Sequence, residues 1–191
     1  MSFDADPTTG ARGRTRSAIL GAAASVLARD RTATLPDIAA AAGVGRTTLH
    51  RYFPDRETLV MATTQDAIAA VQRSVVDAAL TEGAPLEAMR RAVAALVSVG
   101  DRLLFLFGDP RVLPAYATAG GRMPTDDPVI ALIERGQADG VLDAHVSAQW
   151  IQHVLWALVY RGCEDADRGE LPRHGVVPTV VRTLESGIRT R

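Results

Sequence analysis

The chain has 191 residues, 47% of them apolar and 23% charged, with a formal net charge of −1. That length suits one domain or two small ones, and the apolar content excludes a disordered chain. No run of ~18 apolar residues occurs, which excludes a membrane-spanning helix, and a single cysteine, Cys163, excludes an internal disulfide or a cysteine metal cluster.

The opening stretch MSFDADPTTGARGRTR has no apolar core, so it reads as no secretory leader, and its first 11 residues or so are expected to be disordered. The chain is expected to be soluble and cytoplasmic. Helical periodicity then recurs throughout, with no convincing strand. Ile19, Ala22, Val26 and Leu27 repeat at helical spacing and place a first helix over about 14–29. Thr34 suits the N-cap of a second helix, with Pro36 in its first turn and Gly43 at its end. A short third helix is expected over about 46–52. Pro54 ends it, because the residue before a proline is pushed out of helical geometry. Asp55 caps a long fourth helix reaching about Leu80, with Glu57 well placed in its first turn.

Gly83, Ala84 and Pro85 break the chain. Leu86, Met89, Val93, Leu96, Gly100, Leu103 and Phe107 then alternate steps of three and four, the mark of another helix. Residues 108–110 and 120–128 read as loops. Asp127 and Pro128 open a helix that Gly140 stops. Ser147 caps the next, which carries Trp150, Ile151, Val154, Leu155, Leu158 and Val159. Residues 164–170 read as an acidic connection, and a last helix carries Val177, Val180, Val181, Leu184 and Ile188.

Charge is unevenly divided. From residue 11 to 56, eight arginines face Asp30, Asp37 and Asp55, a balance of +5, whereas from 57 onward thirteen arginines face seventeen acids, a balance of −4. This basic head on an acidic body is the first functional hint. Within the head, Ala39 and Ala42 are small enough to let two helices cross closely, and Gly43 supplies the positive φ of a tight turn. Leu35, Ile38, Val44, Leu49 and Phe53 can then pack inward on Ile19, Val26 and Leu27. Arg46, Thr47, Thr48, His50 and Arg51 are left on the outer face of the short third helix. Donors and hydroxyls at the N-terminal end of a helix are what a recognition helix needs in a major groove. Arg56 adds a charge where a backbone phosphate would lie. A solvated basic helix has the same look, and spacing alone leaves both readings open.

The stretch TLPDIAAAAGVGRTTLHRYFPDRETLV resembles the DNA-binding signature of the TetR family of transcriptional regulators. The likeness covers about residues 14–60 and runs through Thr34, Ile38, Ala39, Ala42, Gly43, Val44, Arg46, Thr48, Leu49, Tyr52, Phe53, Pro54, Glu57 and Leu59. It implies an all-α fold of about nine helices: an N-terminal three-helix helix-turn-helix DNA-binding domain over 12–60 and a C-terminal helical effector-binding and dimerisation domain over 61–191. It also implies that Arg46, Thr47, Thr48 and His50 touch bases or nearby phosphates, and that Thr34, Tyr52 and Arg56 touch the DNA backbone. The chain departs from the family pattern at Gly45, where serine is usual, at His50, where tyrosine is common, and at Arg56, where lysine is usual. The loop 30–33 is short and lacks its customary glycine. Arg14 and Arg16 suit phosphate contacts, and Arg12 a disordered basic tail.

The resemblance further implies a ligand-sensing body and a homodimer made by the last two long helices. The apolar stripes of those helices suit a four-helix interface, and equally suit burial within one protomer. Two heads on double-stranded DNA would read a palindromic operator with half-sites about 34–36 Å apart or multiples of that. For a small-molecule effector, Met89, Val93, Leu96, Leu103, Phe107, Tyr116, Met123, Trp150 and Trp156 are the apolar candidates, and Arg102, Gln152 and His153 could orient it. Spacing alone favours plain core packing for the apolar ones. Their character would suit a hydrophobic or aromatic ligand. The expected function is a DNA-binding transcriptional regulator, in its simplest form a repressor released by such a ligand. A ligand-independent dimeric regulator is the alternative. An enzyme is the rival from another class. However, His50, His145, His153 and His174 show no metal-ligand spacing, and no motif frames Cys163 as a nucleophile. No catalysis, cofactor, metal or membrane is expected.

Overall fold

The computed structural model describes residues 10–122, 125 and 127–188. Disorder expected over the first 11 residues therefore falls outside the described residues except at Gly10 and Ala11, as does the candidate Met123. Ten α-helices form the regular structure among the described residues. They are α1 (Ala11–Arg29), α2 (Leu35–Ala41), α3 (Arg46–Tyr52), α4 (Arg56–Asp77), α5 (Pro85–Ser98), α6 (Gly100–Gly108), α7 (Val112–Thr118), α8 (Pro128–Ala138), α9 (Ala148–Asp167) and α10 (Val176–Ile188). A 3₁₀ turn, Arg173–Gly175, precedes α10. The fold is all-α, as the sequence leads one to expect. No helix among the described residues is long and apolar enough to cross a membrane.

Local chemistry sets most helix starts. The Asp37 carboxylate accepts the Thr34 N–H at 2.8 Å and the Thr34 hydroxyl at 2.6 Å, fastening the first turn of α2. Asp55 accepts the Thr58 N–H at 2.7 Å at the start of α4. Asp127 accepts the Val129 N–H at 3.0 Å, and Ser147 the Trp150 N–H at 3.2 Å. These caps satisfy donors that a helix start otherwise leaves orphaned.

Apolar burial divides into two clusters. One joins Ile19, Leu20, Ala24 and Leu27 of α1 to Ile38, Leu49, Phe53 and Leu59. The other joins Met89, Val93 and Leu96 of α5 to Ile133, Ile151, Leu155 and Val180. Full burial of each large side chain contributes ~1.5–3 kcal/mol. Helix α6 serves both, with Leu103 and Leu104 in the second cluster and Phe105 and Leu106 in the first. It lies along α1, so closely that a Cβ added at Gly21 would meet Arg102 Nη2 at 3.2 Å.

Several boundaries differ from expectation. The helix expected to run from Leu86 through Phe107 is divided at Val99, which leaves helical geometry at φ −109° and ψ 27°. Gly100 follows because α9 presses there: a Cβ on it would meet Cys163 Sγ at 2.8 Å. Helix α4 stops at Asp77 rather than about Leu80. Arg91 takes the carbonyls of Ala78 at 2.9 Å and Ala79 at 2.8 Å, and Ala79 turns the chain at φ 48°. The supposed acidic connection is helical as far as Asp167. Arg161 reaches Glu164 at 3.1 Å and Asp165 at 2.6 Å, and Arg29 reaches Asp167 at 2.6 Å, offsetting the unfavourable placement of acids at a helix C-terminus. Arg12 lies within α1, not in a tail, and α7 had no counterpart in the sequence reading. The buried stripe of α1 is Ile19, Leu20, Ala23, Ala24 and Leu27, while Ala22 and Val26 are half-buried, because α1 is covered from two sides.

Candidate nucleic-acid interface

The turn between α2 and α3 is built from backbone chemistry. Gly43 sits at φ 66°, with its N–H on the Ala40 carbonyl at 3.1 Å and the Val44 N–H on the Ala39 carbonyl at 3.0 Å. That pair of bonds is a Schellman cap, which needs a residue able to adopt positive φ. Ala39 is 2% exposed and half-buried Ala42 follows it, so the small side chains sit where the two helices converge. Gly45 then caps α3 in extended geometry without a side-chain bond.

Helix α3 is anchored by Leu49 and Phe53, 1% and 2% exposed. Its other side faces outward: Arg46, Thr47, His50 and Arg51 are exposed, and Thr48 is half-buried. Arg46 has no ion pair among the described residues. The Arg51 guanidinium lies 5.8 Å from the centre of the Tyr52 ring, which is itself half-buried and 6.4 Å from the Phe53 ring. His50 Nδ1 lies 3.3 Å from the Pro54 carbonyl oxygen. The acids of the head do not neutralise this face. Hydrogen bonds from Thr34 hold the Asp37 carboxyl below the usual carboxylate range, and those from Thr58 do the same for Asp55. Both carboxylates are engaged at helix starts.

Two sequence candidates sit differently from a free surface cation. Arg56, half-buried, donates from its guanidinium to the carbonyls of Arg31 and Ala33. It clasps the loop between α1 and α2, which Asp30 also tightens by accepting the Thr32 N–H at 2.8 Å. Arg16 lies over the Phe53 ring at 5.7 Å, tying α1 to the end of α3. Sequence reasoning had no signal for the Arg56 clasp, because both acceptors are main-chain carbonyls more than twenty positions away.

The effector candidates among the described residues have different surroundings. Met89, Val93, Leu96 and Leu103 are packed in the body core at 0–1% exposure. Tyr116 belongs to the head cluster, and Gly121 lies against its ring. Phe107 is 48% exposed and stacks obliquely on half-buried Trp156 at 5.6 Å. Trp150 is 61% exposed, and His153 is exposed as well. Gln152 is buried and donates to Asp127. Arg102 pairs with Asp66 at 3.8 Å and borders a cavity of about 430 Å³ lying between the α5–α6 junction and the end of α9.

A short helix exposing cations and hydroxyls, packed across a second helix through alanines and a glycine turn, defines a helix-turn-helix DNA-binding protein. Residues 19–63 match the family described as bacterial regulatory proteins, tetR family. Over 182 residues, 95% of this chain and 94% of its relative, the sequence is 37% identical to the HTH-type transcriptional repressor LfrR of Mycolicibacterium smegmatis. It is 29% identical over 138 residues, 71% of this chain and 73% of the other, to the HTH-type transcriptional regulator NfxB of Pseudomonas aeruginosa. The crystal structure of the TetR-like regulator LfrR from Mycobacterium smegmatis in complex with proflavine superposes with a TM-score of 0.76 at 37% identity, covering 95% of this chain and all of that one. The chain belongs to the TetR family of transcriptional regulators. It is a DNA-binding regulator and not an enzyme.

Proposed function

We propose that this regulator acts as a cytoplasmic homodimeric repressor that occupies a palindromic operator and leaves it when a small apolar or aromatic molecule binds the body. Residues 12–60 form the DNA-binding unit, and residues 61–191 the effector-binding and dimerisation unit. Arg46, Thr47, Thr48 and His50 meet bases or nearby phosphates, with Arg51 beside them, while Thr34, Tyr52 and Arg56 flank the DNA backbone. The observation that carries this reading is the outer face of α3, where exposed donors are backed by fully buried Leu49 and Phe53. Dimerisation through α9 and α10 is supported by Trp150, a large exposed apolar group at the start of α9 that a partner would cover. The proflavine complex of the relative supports an aromatic ligand here.

The ligand must bind the released state better than the DNA-bound one. A coupling of ~1–3 kcal/mol would change operator affinity about 5- to 150-fold. The experiment is capture of genomic fragments by the purified protein, followed by titration of the recovered duplex in rising salt. The expected result is a palindrome whose affinity falls steeply with salt, as counterion release requires. Failure to retain any duplex at low ionic strength would overturn the reading.

A further inference from the structure

Hydrogen-bond donors dominate the outer face of α3. Arg46 and Arg51 only donate, and the Thr47 and Thr48 hydroxyls donate or accept. His50, exposed and one turn on from Arg46 along the same face, is different. Its Nδ1 lies 3.3 Å from the Pro54 carbonyl oxygen. A carbonyl oxygen can only accept, so Nδ1 carries the proton of that bond. In the neutral ring Nε2 then holds a lone pair and can only accept. Nε2 makes no hydrogen bond among the described residues. The neighbouring Arg51 guanidinium is drawn over the Tyr52 ring instead, 5.8 Å from its centre.

We propose that His50 is a specificity-determining residue whose Nε2 accepts the N4 amino group of a cytosine in the operator. This inference rests on the reading of α3 as the helix that enters the major groove. Cytosine and adenine are the bases that present an amino donor there. Adenine sets its N7 acceptor beside the amino group, so a ring nitrogen that only accepts meets it with lone pair against lone pair. Cytosine presents its amino group with no acceptor on the same edge. Guanine presents only acceptors, and thymine an acceptor and a methyl group, so neither gives His50 a bond. A tyrosine hydroxyl, common at this position in the family, either donates or accepts and does not choose among these bases. The pinned imidazole does. The Pro54 carbonyl thus decides what a side chain four positions earlier can recognise, by fixing its tautomer.

The test selects bound duplexes from a pool with randomised half-sites at about pH 8, where an imidazole is ordinarily neutral. The proteins are the full chain, His50→Asn and His50→Gln. Asparagine keeps a donor where Nδ1 stands and has no atom at Nε2, so its melting should match that of the parent. The parent is expected to select a C·G pair at one half-site position that His50→Asn leaves unselected. Glutamine carries an amide able to pair with both N6 and N7 of adenine, so His50→Gln is expected to select an A·T pair there. In one half-site that cytosine is then replaced by 2-pyrimidinone, which lacks the amino group. The parent should lose about fivefold in affinity, as a single hydrogen bond requires. His50→Asn should lose only what the weaker pairing with guanine costs both proteins. Equal losses on this analogue overturn the proposal, because they place any His50 contact on the paired guanine. Selection of an A·T pair by the parent at the His50-dependent position overturns it too. So does a fall in the affinity of His50→Asn that is the same for every sequence, which would make His50 a phosphate contact. A parent that retains no duplex sinks the reading of α3 as well, whereas a palindrome with no position dependent on His50 sinks this inference alone.

Discussion

At the turn into α3, the hydrogen bonds join residues a few positions apart: Asp37 caps through Thr34, Gly43 closes on Ala40, and Val44 closes on Ala39. Along the seam with the body, and within the body, the decisive contacts span far more of the chain. Ser25 reaches Asp101 across 76 positions, Arg90 reaches Glu185 across 95, and Arg29 reaches Asp167 across 138. The turn that sets the recognition helix is thus shaped by local rules, and that helix presents chemistry outward. The body is shaped by distant partners and turns its chemistry inward.

That contrast can be broken at several points. The largest effect is expected for Leu49→Ala, which empties a fully buried site and should cost ~2–5 kcal/mol in denaturant unfolding. Because α4 and α6 belong to both clusters, a single transition is expected, and two separate transitions would show that head and body unfold independently. Arg46→Ala comes next. It should leave melting unchanged, because the side chain is exposed, yet weaken specific binding by ~1–3 kcal/mol if it reads a guanine edge. An equal fall in nonspecific affinity would reduce it to a phosphate contact.

Arg56 tests whether the head is as local as it looks. As a clasp on main-chain carbonyls, Arg56→Ala should cost ~1 kcal/mol of stability, and Arg56→Lys should not restore it. As a phosphate contact, lysine would restore binding, and the alanine variant would lower the salt slope by about 1.

Acid should act on the caps. The folded-state pKa values of Asp37 and Asp55 lie below the ordinary carboxylate value. Their contribution is therefore fully present above that ordinary value and is lost as pH falls through the depressed one. Denaturant stability should fall more steeply with acid in the parent than in variants carrying asparagine at both positions, the two converging at low pH. Asp109, held down to about 2 chiefly by Arg111, should keep its charge on the seam until near that pH. The smallest effect is expected from Gly45→Ser. Its φ is −71°, and no atom lies within 4 Å of the added Cβ, so a hydroxyl cap should add a few tenths of a kcal/mol in thermal melts.

The boundaries of α3 were legible to the residue, because Gly45, the spacing of Leu49 and Phe53, and Pro54 all act within one short segment. The starts at Asp55, Asp127 and Ser147 were legible for the same reason. The break at Val99 was not, since the periodicity runs through it and only the approach of Cys163 explains it. Nor was the helicity of Glu164 to Asp167, which depends on Arg161 and on Arg29 from the other end of the chain. For the effector candidates, apolar spacing identifies a buried face without saying whether that face lines a hollow. Asp101 and Cys163 border one, and neither carried a motif.

Helix α6 contributes adjacent pairs, Leu103 with Leu104 and Phe105 with Leu106, to opposite apolar clusters. A chimera grafting residues 10–60 onto a foreign sensor would leave behind Ala67, Ile68, Phe105, Leu106 and Tyr116, which complete the floor under the graft. Exchange of DNA specificity between such regulators should therefore succeed by rewriting the outward residues of α3 in place, and fail by cut-and-join at residue 60 unless the matching half of α6 travels too.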